Sequence, residues 1–221
     1  MCSLLPIRKP LLCYVTDRRG FVGDEAEARE KLLLAKTGQA AKAGVDWIQL
    51  REKDLSGKQL AGLASEVLRV TAGVSAILIN DRLDVACSVK AAGVHLGEHS
   101  LPVSEARRFV EERLAREDFL VGASVHSLEA ARKAEQDGAN YVIFGPLFAT
   151  PSKAAFGAPQ GLEGLRRVCA AMQIPVLAIG GITLENAGEC LEAGASGIAA
   201  IRLFQETTDL PAVVERLRLG L

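Results

Sequence analysis

The chain has 221 residues, of which 49% are hydrophobic and 24% are charged, and its formal net charge is −1. This composition is ordinary for a globular protein. The balanced charge excludes a broad basic surface for nucleic acid or anionic membranes, so any affinity for phosphate must come from a local cluster.

No apolar stretch approaches the roughly 20 residues that cross a bilayer. Arg8 and Lys9 interrupt any signal-peptide core. The five cysteines are scattered, which predicts free thiols in a reducing compartment. We therefore expect one cytoplasmic domain over residues 1–221, with no nucleic-acid or membrane partner.

Short apolar segments alternate with amphipathic segments along the whole chain. The apolar segments predict strands at 11–16, 45–50, 75–80, 93–96, 119–124, 140–145, 174–180 and 196–201. Apolar residues spaced three or four apart predict helices at 25–43, 56–72, 102–116, 127–137, 161–172 and 183–193. The strands are almost continuously hydrophobic, which is typical of a parallel sheet covered on both faces. Together these units predict an α/β fold, a single (β/α)8 TIM barrel, with a doubly wound open sheet as second choice.

A small residue or aspartate followed by glycine recurs before alternate predicted strands. The four copies lie at 43–48, 92–96, 137–144 and 193–201. Glycine ends helices in a left-handed conformation at little steric cost. The repeat therefore predicts a left-handed glycine in each copy and an iterated β–α unit.

Three hydrogen-bond donors lie at alternate positions at the end of the second predicted strand and just after it. They are Gln49, Arg51 and Lys53. Alternate residues of a strand share a face, so we expect these side chains to point the same way. Arginine binds two oxygens at once and lysine adds a point charge, which suits a diphosphate. The alternative is a surface charge cluster with a Glu52–Arg51 or a Lys53–Asp54 pair.

Asn80 and Asp81 follow the third predicted strand. Mg²⁺ is a hard cation that is often shared between one or two carboxylates and substrate phosphates, so Asp81 is the candidate metal ligand. The alternative is structural, because either residue commonly caps a helix and a helical segment starts at Arg82.

Ser124 and His126 follow the fifth predicted strand. The Ser124 hydroxyl can donate to a phosphate, and His126 can exchange protons near neutral pH. In the alternative, Ser127 caps the next helix and His126 is a loop residue. We place His95 within the fourth strand as a core or rim residue.

Thr150, Ser152 and Lys153 lie after the sixth strand on a segment that contains glycine and proline. Two hydroxyls and an ammonium group suit a lid over an anion. A polar turn is the alternative.

Gly180 and Gly181 follow the seventh strand, and Ile201 and Arg202 follow the eighth. In barrels of this class the loops after these two strands usually hold a phosphate, because glycine lets backbone N–H groups approach its oxygens. Arg202 would add positive charge. A tight turn explains the glycines but not an arginine at the end of an apolar strand.

These segments resemble the thiamine-phosphate synthase/TenI family over nearly the whole chain. The matching blocks are YVTD (14–17), QLREKD (49–54), INDR (79–82), GVHLG (93–97), GASVHSLEA (122–130), YVIFGPLFATPSK (141–153) and IPVLAIGGIT (174–183). The resemblance implies a transferase that joins 4-amino-5-hydroxymethyl-2-methylpyrimidine diphosphate to thiazole phosphate. Pyrophosphate leaves first, and the thiazole nitrogen captures the pyrimidinylmethyl cation to give thiamine monophosphate.

The resemblance also implies Mg²⁺ as cofactor, two small-molecule substrates as partners, and a homodimer as a candidate assembly. The residues implied to hold the pyrimidine diphosphate are Gln49, Arg51, Lys53 and Asn80, with Asp81 on the metal. Those implied to act at the pyrimidine and the departing pyrophosphate are Ser124 and Lys153. Those implied to hold the thiazole phosphate are Thr150, Ser152, Gly181, Ile201 and Arg202.

Two positions depart from the family pattern. Ser100 stands where such synthases usually carry a second metal-binding aspartate, so Glu98 or a water would have to substitute. Arg202 stands where a small hydroxyl residue is common. These changes keep open a TenI-like thiazole tautomerase that uses His126 as its acid and base. A third alternative is a non-catalytic protein that binds thiamine precursors, since a barrel alone does not specify chemistry.

Overall fold

A computed structural model describes residues 10–22, 25–114, 116–149 and 159–219. Eight parallel strands close into a barrel in chain order, with β8 paired to β1. The strands are β1 (Leu11–Val15), β2 (Trp47–Leu50), β3 (Ala76–Asn80), β4 (Gly93–Leu96), β5 (Leu120–Val125), β6 (Tyr141–Phe144), β7 (Val176–Ile179) and β8 (Gly197–Ala200). The (β/α)8 prediction is confirmed, and the open sheet is wrong.

Helices connect the strands on the outside of the barrel. They are α1 (Ala26–Ala43), α2 (Gly57–Thr71), α3 (Leu83–Ser88), α4 (Val103–Phe109), α5 (Leu128–Gln136), α6 (Gly161–Ala171), α7 (Ala187–Glu192), α8 (Arg202–Gln205) and α9 (Leu210–Arg218). A 3-10 turn, Arg18–Gly20, follows β1, and a π-helical turn, Val110–Leu114, extends α4.

The predicted strands agree with the structure in number, and the predicted helices are present, but the elements differ at their ends. All eight predicted strands are present, and the seventh starts two residues later than expected, at Val176. The helix expected at 183–193 is shorter because the Asn186 side chain accepts the Thr183 N–H at 2.9 Å and holds a turn there. Helices α8 and α9 were not expected from the spacing of apolar residues.

Strand side chains alternate between the barrel interior and the layer under the helices. In β1, Leu11, Cys13 and Val15 belong to the interior cluster, whereas Leu12 and Tyr14 pack in the outer core. Both faces of each strand are therefore buried, which explains the continuous hydrophobic runs in the sequence.

Three of the four repeated glycines have the expected conformation. Gly44, Gly138 and Gly194 are left-handed, with φ of 95°, 92° and 101°. The prediction is wrong for Gly93, which is the first residue of β4, while the left-handed residue before that strand is Lys90 at φ 56°. Gly93 is instead required by packing, because an added Cβ would lie closer than 3.0 Å to the Leu120 carbonyl oxygen.

Two further findings concern the helices and the cysteines of the described part of the chain. None of its helices combines the length and the apolar character that crossing a membrane would require. Its cysteines, which are Cys13, Cys87, Cys169 and Cys190, are free thiols.

Replacing Gly93 with alanine is expected to destabilise the barrel by roughly 2 kcal/mol or more, because the methyl group meets backbone that cannot move aside. The control is Gly62→Ala in α2, where an added Cβ meets nothing within 4 Å. That change should stabilise the protein by about 0.5–1 kcal/mol. Urea unfolding measures both, and equal midpoints for the two variants would contradict the packing argument.

Candidate active site

A polar layer covers the apolar interior at the carboxyl ends of the strands. Trp47, Leu78 and Leu120 lie inside the barrel, so residues two or four positions later on the same strands face the same way. On β4, Val94 and Leu96 pack in the outer core, so His95 between them faces the interior. The residues in this polar layer are Gln49 on β2, Asn80 on β3, His95 on β4 and Ser124 on β5. Polar residues at four successive strand ends therefore meet in one layer.

Gln49, Asn80 and Asp81 form a hydrogen-bonded chain across this layer. Gln49 Nε2 donates to Asn80 Oδ1 at 2.8 Å, and Asn80 Nδ2 donates to Asp81 Oδ2 at 2.7 Å. The carboxylate only accepts hydrogen bonds, so it fixes the orientation of both amides. Gln49 Oε1 is left buried without a partner in the described part of the chain, which is costly unless a ligand donates to it.

Asp81 occupies an unusual backbone conformation, with φ of 62°. Its N–H donates to the His95 carbonyl at 2.8 Å, and its Oδ1 accepts from the Gly97 N–H at 3.1 Å and from the Ser100 hydroxyl. The alternative in which Asn80 or Asp81 caps the next helix is wrong, because Arg82 occupies the N-cap position of α3 and makes no side-chain cap bond. Left-handed aspartates are tolerated but uncommon, and such residues cluster at functional sites.

The donor set around Asp81 suits a cation that is shared with a substrate. Ser100, the replacement for the usual second aspartate, lies against Asp81, so this position offers a hydroxyl and not a second charge. Glu98 is exposed. The described residues contain no group of three or more His, Cys, Asp or Glu that could hold a metal. One carboxylate fits Mg²⁺ only if water and phosphate oxygens complete its coordination.

A second chain joins Tyr141, His95 and Ser124. His95 Nδ1 lies 3.1 Å from the Tyr141 hydroxyl, and its Nε2 lies 2.8 Å from Ser124 Oγ. The buried Tyr141 O–H needs an acceptor, so it donates to Nδ1 and Nε2–H donates to Ser124. The Ser124 hydroxyl hydrogen remains for a ligand.

Burial lowers the pKa of His95 to about 4, while nearby Asp81 raises it and Arg51 lowers it. His95 is therefore neutral at neutral pH, with both charges close to it. We expected His95 in the core or at the rim and gave it no role in the site. Its role could have been predicted from the sequence, because it is a polar residue at an inward-facing position of an apolar strand.

Among the described residues, the acids of the loop after β2 have ion-pair partners and its bases do not. Glu52 is 5% exposed and pairs with Arg18 at 3.0 Å, and Asp54 pairs with Arg18 at 2.6 Å. The alternative with a Glu52–Arg51 or a Lys53–Asp54 pair is therefore wrong. Within the residues that the structure describes, neither Arg51 nor Lys53 forms an ion pair. Both line an open cleft, which is also lined by Asp17, Arg19, Glu52 and Asp54. Arg18 was not among the predicted site residues, because it lies 34 residues from Glu52 in the sequence and no local pattern connects the two.

Ser127 caps α5 by accepting the Ala130 N–H at 3.1 Å, as the structural alternative for this segment predicted. His126 is half-buried, and its Nδ1 donates to the Gly145 carbonyl oxygen. This contact fixes the tautomer, so Nε2 is the nitrogen that can accept a proton.

Close packing accounts for the glycines after β7. Gly180 and Gly181 are left-handed, with φ of 99° and 68°. A Cβ on Gly180 would lie 2.6 Å from Pro146 Cα, and a Cβ on Gly181 would lie 2.8 Å from Phe148 Cβ. These glycines let the segment after β6 run beside β7, where the Phe148 N–H donates to the Gly180 carbonyl at 3.0 Å.

The remaining predicted site residues are only partly described. Arg202 is exposed at the start of α8, and Ile201 before it is half-buried. Thr150, Ser152 and Lys153 lie outside the described residues.

Because buried His95 stays neutral down to about pH 4 and an unfolded histidine takes up a proton near 6.5, acidification through this window favours unfolding. His95→Gln removes this dependence. The free energy of unfolding of wild type, relative to that of the variant, should therefore fall by about 1.5 kcal/mol between pH 6.5 and pH 5. Urea unfolding across this range measures it. His99→Gln, which removes an exposed imidazole, is the control, and matching pH profiles for the two variants would refute the assignment.

Known proteins similar to this chain share both its sequence and its fold. The family model described as thiamine monophosphate synthase matches residues 20–204. A thiamine-phosphate synthase from Methanoculleus marisnigri is 42% identical over 198 residues, which cover 89% of this chain and 92% of the relative. One from Chloroflexus aurantiacus is 38% identical over 94% of both chains.

A solved structure gives the same result. Thiamine phosphate pyrophosphorylase from Pyrococcus furiosus superimposes with a TM-score of 0.79 at 33% identity, over 96% of each chain. The match extends through the strands that carry the polar layer. The chain belongs to the thiamine monophosphate synthase family.

Proposed function

We propose that this chain is a thiamine-phosphate synthase, which transfers the pyrimidinylmethyl group of a pyrimidine diphosphate to thiazole phosphate and releases pyrophosphate. The observation that carries the proposal is the pair of cations, Arg51 and Lys53, which have no ion pair within the described residues and line one open cleft. Arg51 is also close enough to the polar layer to lower the pKa of His95. Unpaired cations at such a rim suit a diphosphate. The chain's family and its relatives named as synthases support the same reaction.

The two hydrogen-bonded chains match the edge of an aminopyrimidine. Gln49 offers an acceptor, because Asp81 fixes the amide orientations, and Ser124 offers a donor, because His95 donates to its oxygen. An exocyclic amine donates and the adjacent ring nitrogen accepts, so the ring satisfies both groups. We infer that Gln49 and Ser124 orient the pyrimidine while Asn80 keeps Gln49 in place.

The diphosphate would then lie against Arg51 and Lys53, with Asp81 at its metal. Mg²⁺ neutralises charge on the leaving pyrophosphate when it is bound. Asp81 would hold it by one carboxylate, with Ser100 as a neighbouring hydroxyl. Arg51 and Lys53 act by preorganised charge, because the charge on the leaving group grows as the bond breaks.

The neutral state of His95 suits a cationic intermediate. A protonated imidazole beside Ser124 would repel the pyrimidinylmethyl cation, whereas burial keeps His95 uncharged above about pH 4. The thiazole nitrogen then attacks the cation.

The remaining roles are assigned to residues at other strand ends. We propose that the thiazole phosphate is bound by Thr150, Ser152, Gly181, Ile201 and Arg202, and that Lys153 binds the pyrophosphate. We also propose that residues 1–221 form one catalytic domain.

With Mg²⁺ and both precursors, the protein should form thiamine monophosphate and pyrophosphate in equal amounts. Arg51→Gln should lower kcat/KM for the pyrimidine diphosphate by about 100-fold, through loss of a charge-assisted contact. Coupled pyrophosphate release measures the rate. The control, Lys58→Gln, removes an exposed cation on α2 and should leave the rate unchanged.

The synthase assay, together with a second assay that follows aromatisation of the thiazole carboxylate phosphate, separates the alternatives. In a synthase, His126→Ala should reduce the rate only modestly, whereas in a tautomerase it should abolish aromatisation of the thiazole carboxylate phosphate. A non-catalytic protein would bind precursors without turnover. Absence of thiamine monophosphate with tautomerase activity intact would overturn the proposal.

Asp81→Asn should raise the Mg²⁺ concentration for half-maximal turnover at least about 10-fold, because the one charged ligand at this position is lost. Calorimetry of Mg²⁺ binding in the presence of pyrophosphate gives a readout that does not depend on turnover. Asp84→Asn is the control, since Asp84 is exposed and pairs with Arg82 at 2.6 Å. Unchanged Mg²⁺ dependence in Asp81→Asn would show that the cation lies elsewhere.

A further inference from the structure

Charges of opposite sign alternate in the loop after β2, where Arg51, Glu52, Lys53 and Asp54 are consecutive. Adjacent side chains of opposite charge can form ion pairs with one another unless other groups bind them first. In this structure both carboxylates contact Arg18, on the loop after β1.

Arg18 makes unusually complete contacts with the two acids. Its Nη1 and Nη2 donate to the two oxygens of Asp54 at 2.6 Å and 2.9 Å, in a bidentate arrangement. Nη1 also donates to Glu52 Oε2 at 3.0 Å, and the Arg18 backbone N–H lies 3.1 Å from the same oxygen. Arg18 itself is 8% exposed. Planar bidentate pairs of this kind are stronger and more specific than ordinary surface ion pairs.

A separate contact holds the backbone of this loop. The Thr16 hydroxyl donates to Glu52 Oε1 at 2.6 Å and accepts the Arg51 N–H at 3.0 Å. The Arg51 backbone is therefore anchored to the end of β1 without the Arg18 guanidinium. Removing that guanidinium changes which charges are paired more than it changes the path of the chain.

We propose that Arg18 is a positioning residue that holds Glu52 and Asp54 and thereby keeps Arg51 and Lys53 free for the diphosphate of the substrate. This inference rests on the proposed function. Without Arg18, Asp54 can turn to Lys53, and Glu52 becomes a buried carboxylate that has lost its cation. The two carboxylates, which line the same cleft as Arg51 and Lys53, are then no longer neutralised by Arg18, and a diphosphate binds more weakly.

The test measures binding of Mg²⁺–pyrophosphate to the full chain by calorimetry. Arg18→Gln should raise the Kd at least about 10-fold, because an unpaired carboxylate competes with the anion for the same cations. The KM for the pyrimidine diphosphate should rise by a similar factor, with a smaller effect on kcat.

A second substitution distinguishes charge competition from general damage. Asp54→Asn in the Arg18→Gln background should recover part of the lost affinity, because the competing charge is gone. A merely structural defect would not be rescued in this way. Arg18→Lys, which keeps the charge but loses the bidentate pair, should weaken binding by a smaller factor and covers the case in which Arg18→Gln does not fold.

The outcomes are separable. If wild type neither binds pyrophosphate nor forms thiamine monophosphate, the proposed function fails, and this inference fails with it. If wild type does both while Arg18→Gln and Arg18→Lys bind pyrophosphate with unchanged Kd, the inference alone is wrong. Weak binding that Asp54→Asn does not restore also overturns it.

Discussion

Barrel closure is the constraint on which the rest of this structure depends. Eight parallel strands without a free edge must all end at one rim, and a period of two decides which residues face inward there. Gln49, Asn80, His95 and Ser124 come from four different strands, yet the same parity puts them in one layer above an apolar interior. The fold therefore assembles a polar site from residues that are far apart in sequence.

Within that layer, Asp81 and Tyr141 determine which side-chain atoms donate hydrogen bonds and which accept them. Asp81 can only accept, so the two amides beside it are oriented and Gln49 presents its oxygen. Tyr141 is buried and must donate, so His95 presents its N–H to Ser124. Among the described residues of this layer, Gln49 presents an acceptor and Ser124 a donor before any ligand binds. Such preorganisation lowers the cost of orienting a substrate.

The sequence predicted what local periodicity encodes. Continuous apolar runs marked all eight strands, and polar residues just after them marked Gln49 and Asn80. Other features depend on contacts between distant segments. Gly93 was misassigned because the carbonyl that crowds it belongs to Leu120 on the next strand. The partners of Glu52 were misassigned because sequence proximity favours neighbouring cations, whereas Arg18 is supplied by barrel geometry.

A near-neutral chain can bind a highly charged ligand only if it distributes its charges unevenly. The net charge is −1, so an anion gains nothing from the protein as a whole. In the loop after β2 the charges of Arg51, Glu52, Lys53 and Asp54 sum to zero, and the sequence alone would suggest mutual neutralisation. Because both acids are bound to Arg18, the two bases instead act as a local positive cluster. In the proposed function, affinity for a diphosphate therefore depends less on the number of cations at the rim than on which of them already have a carboxylate partner.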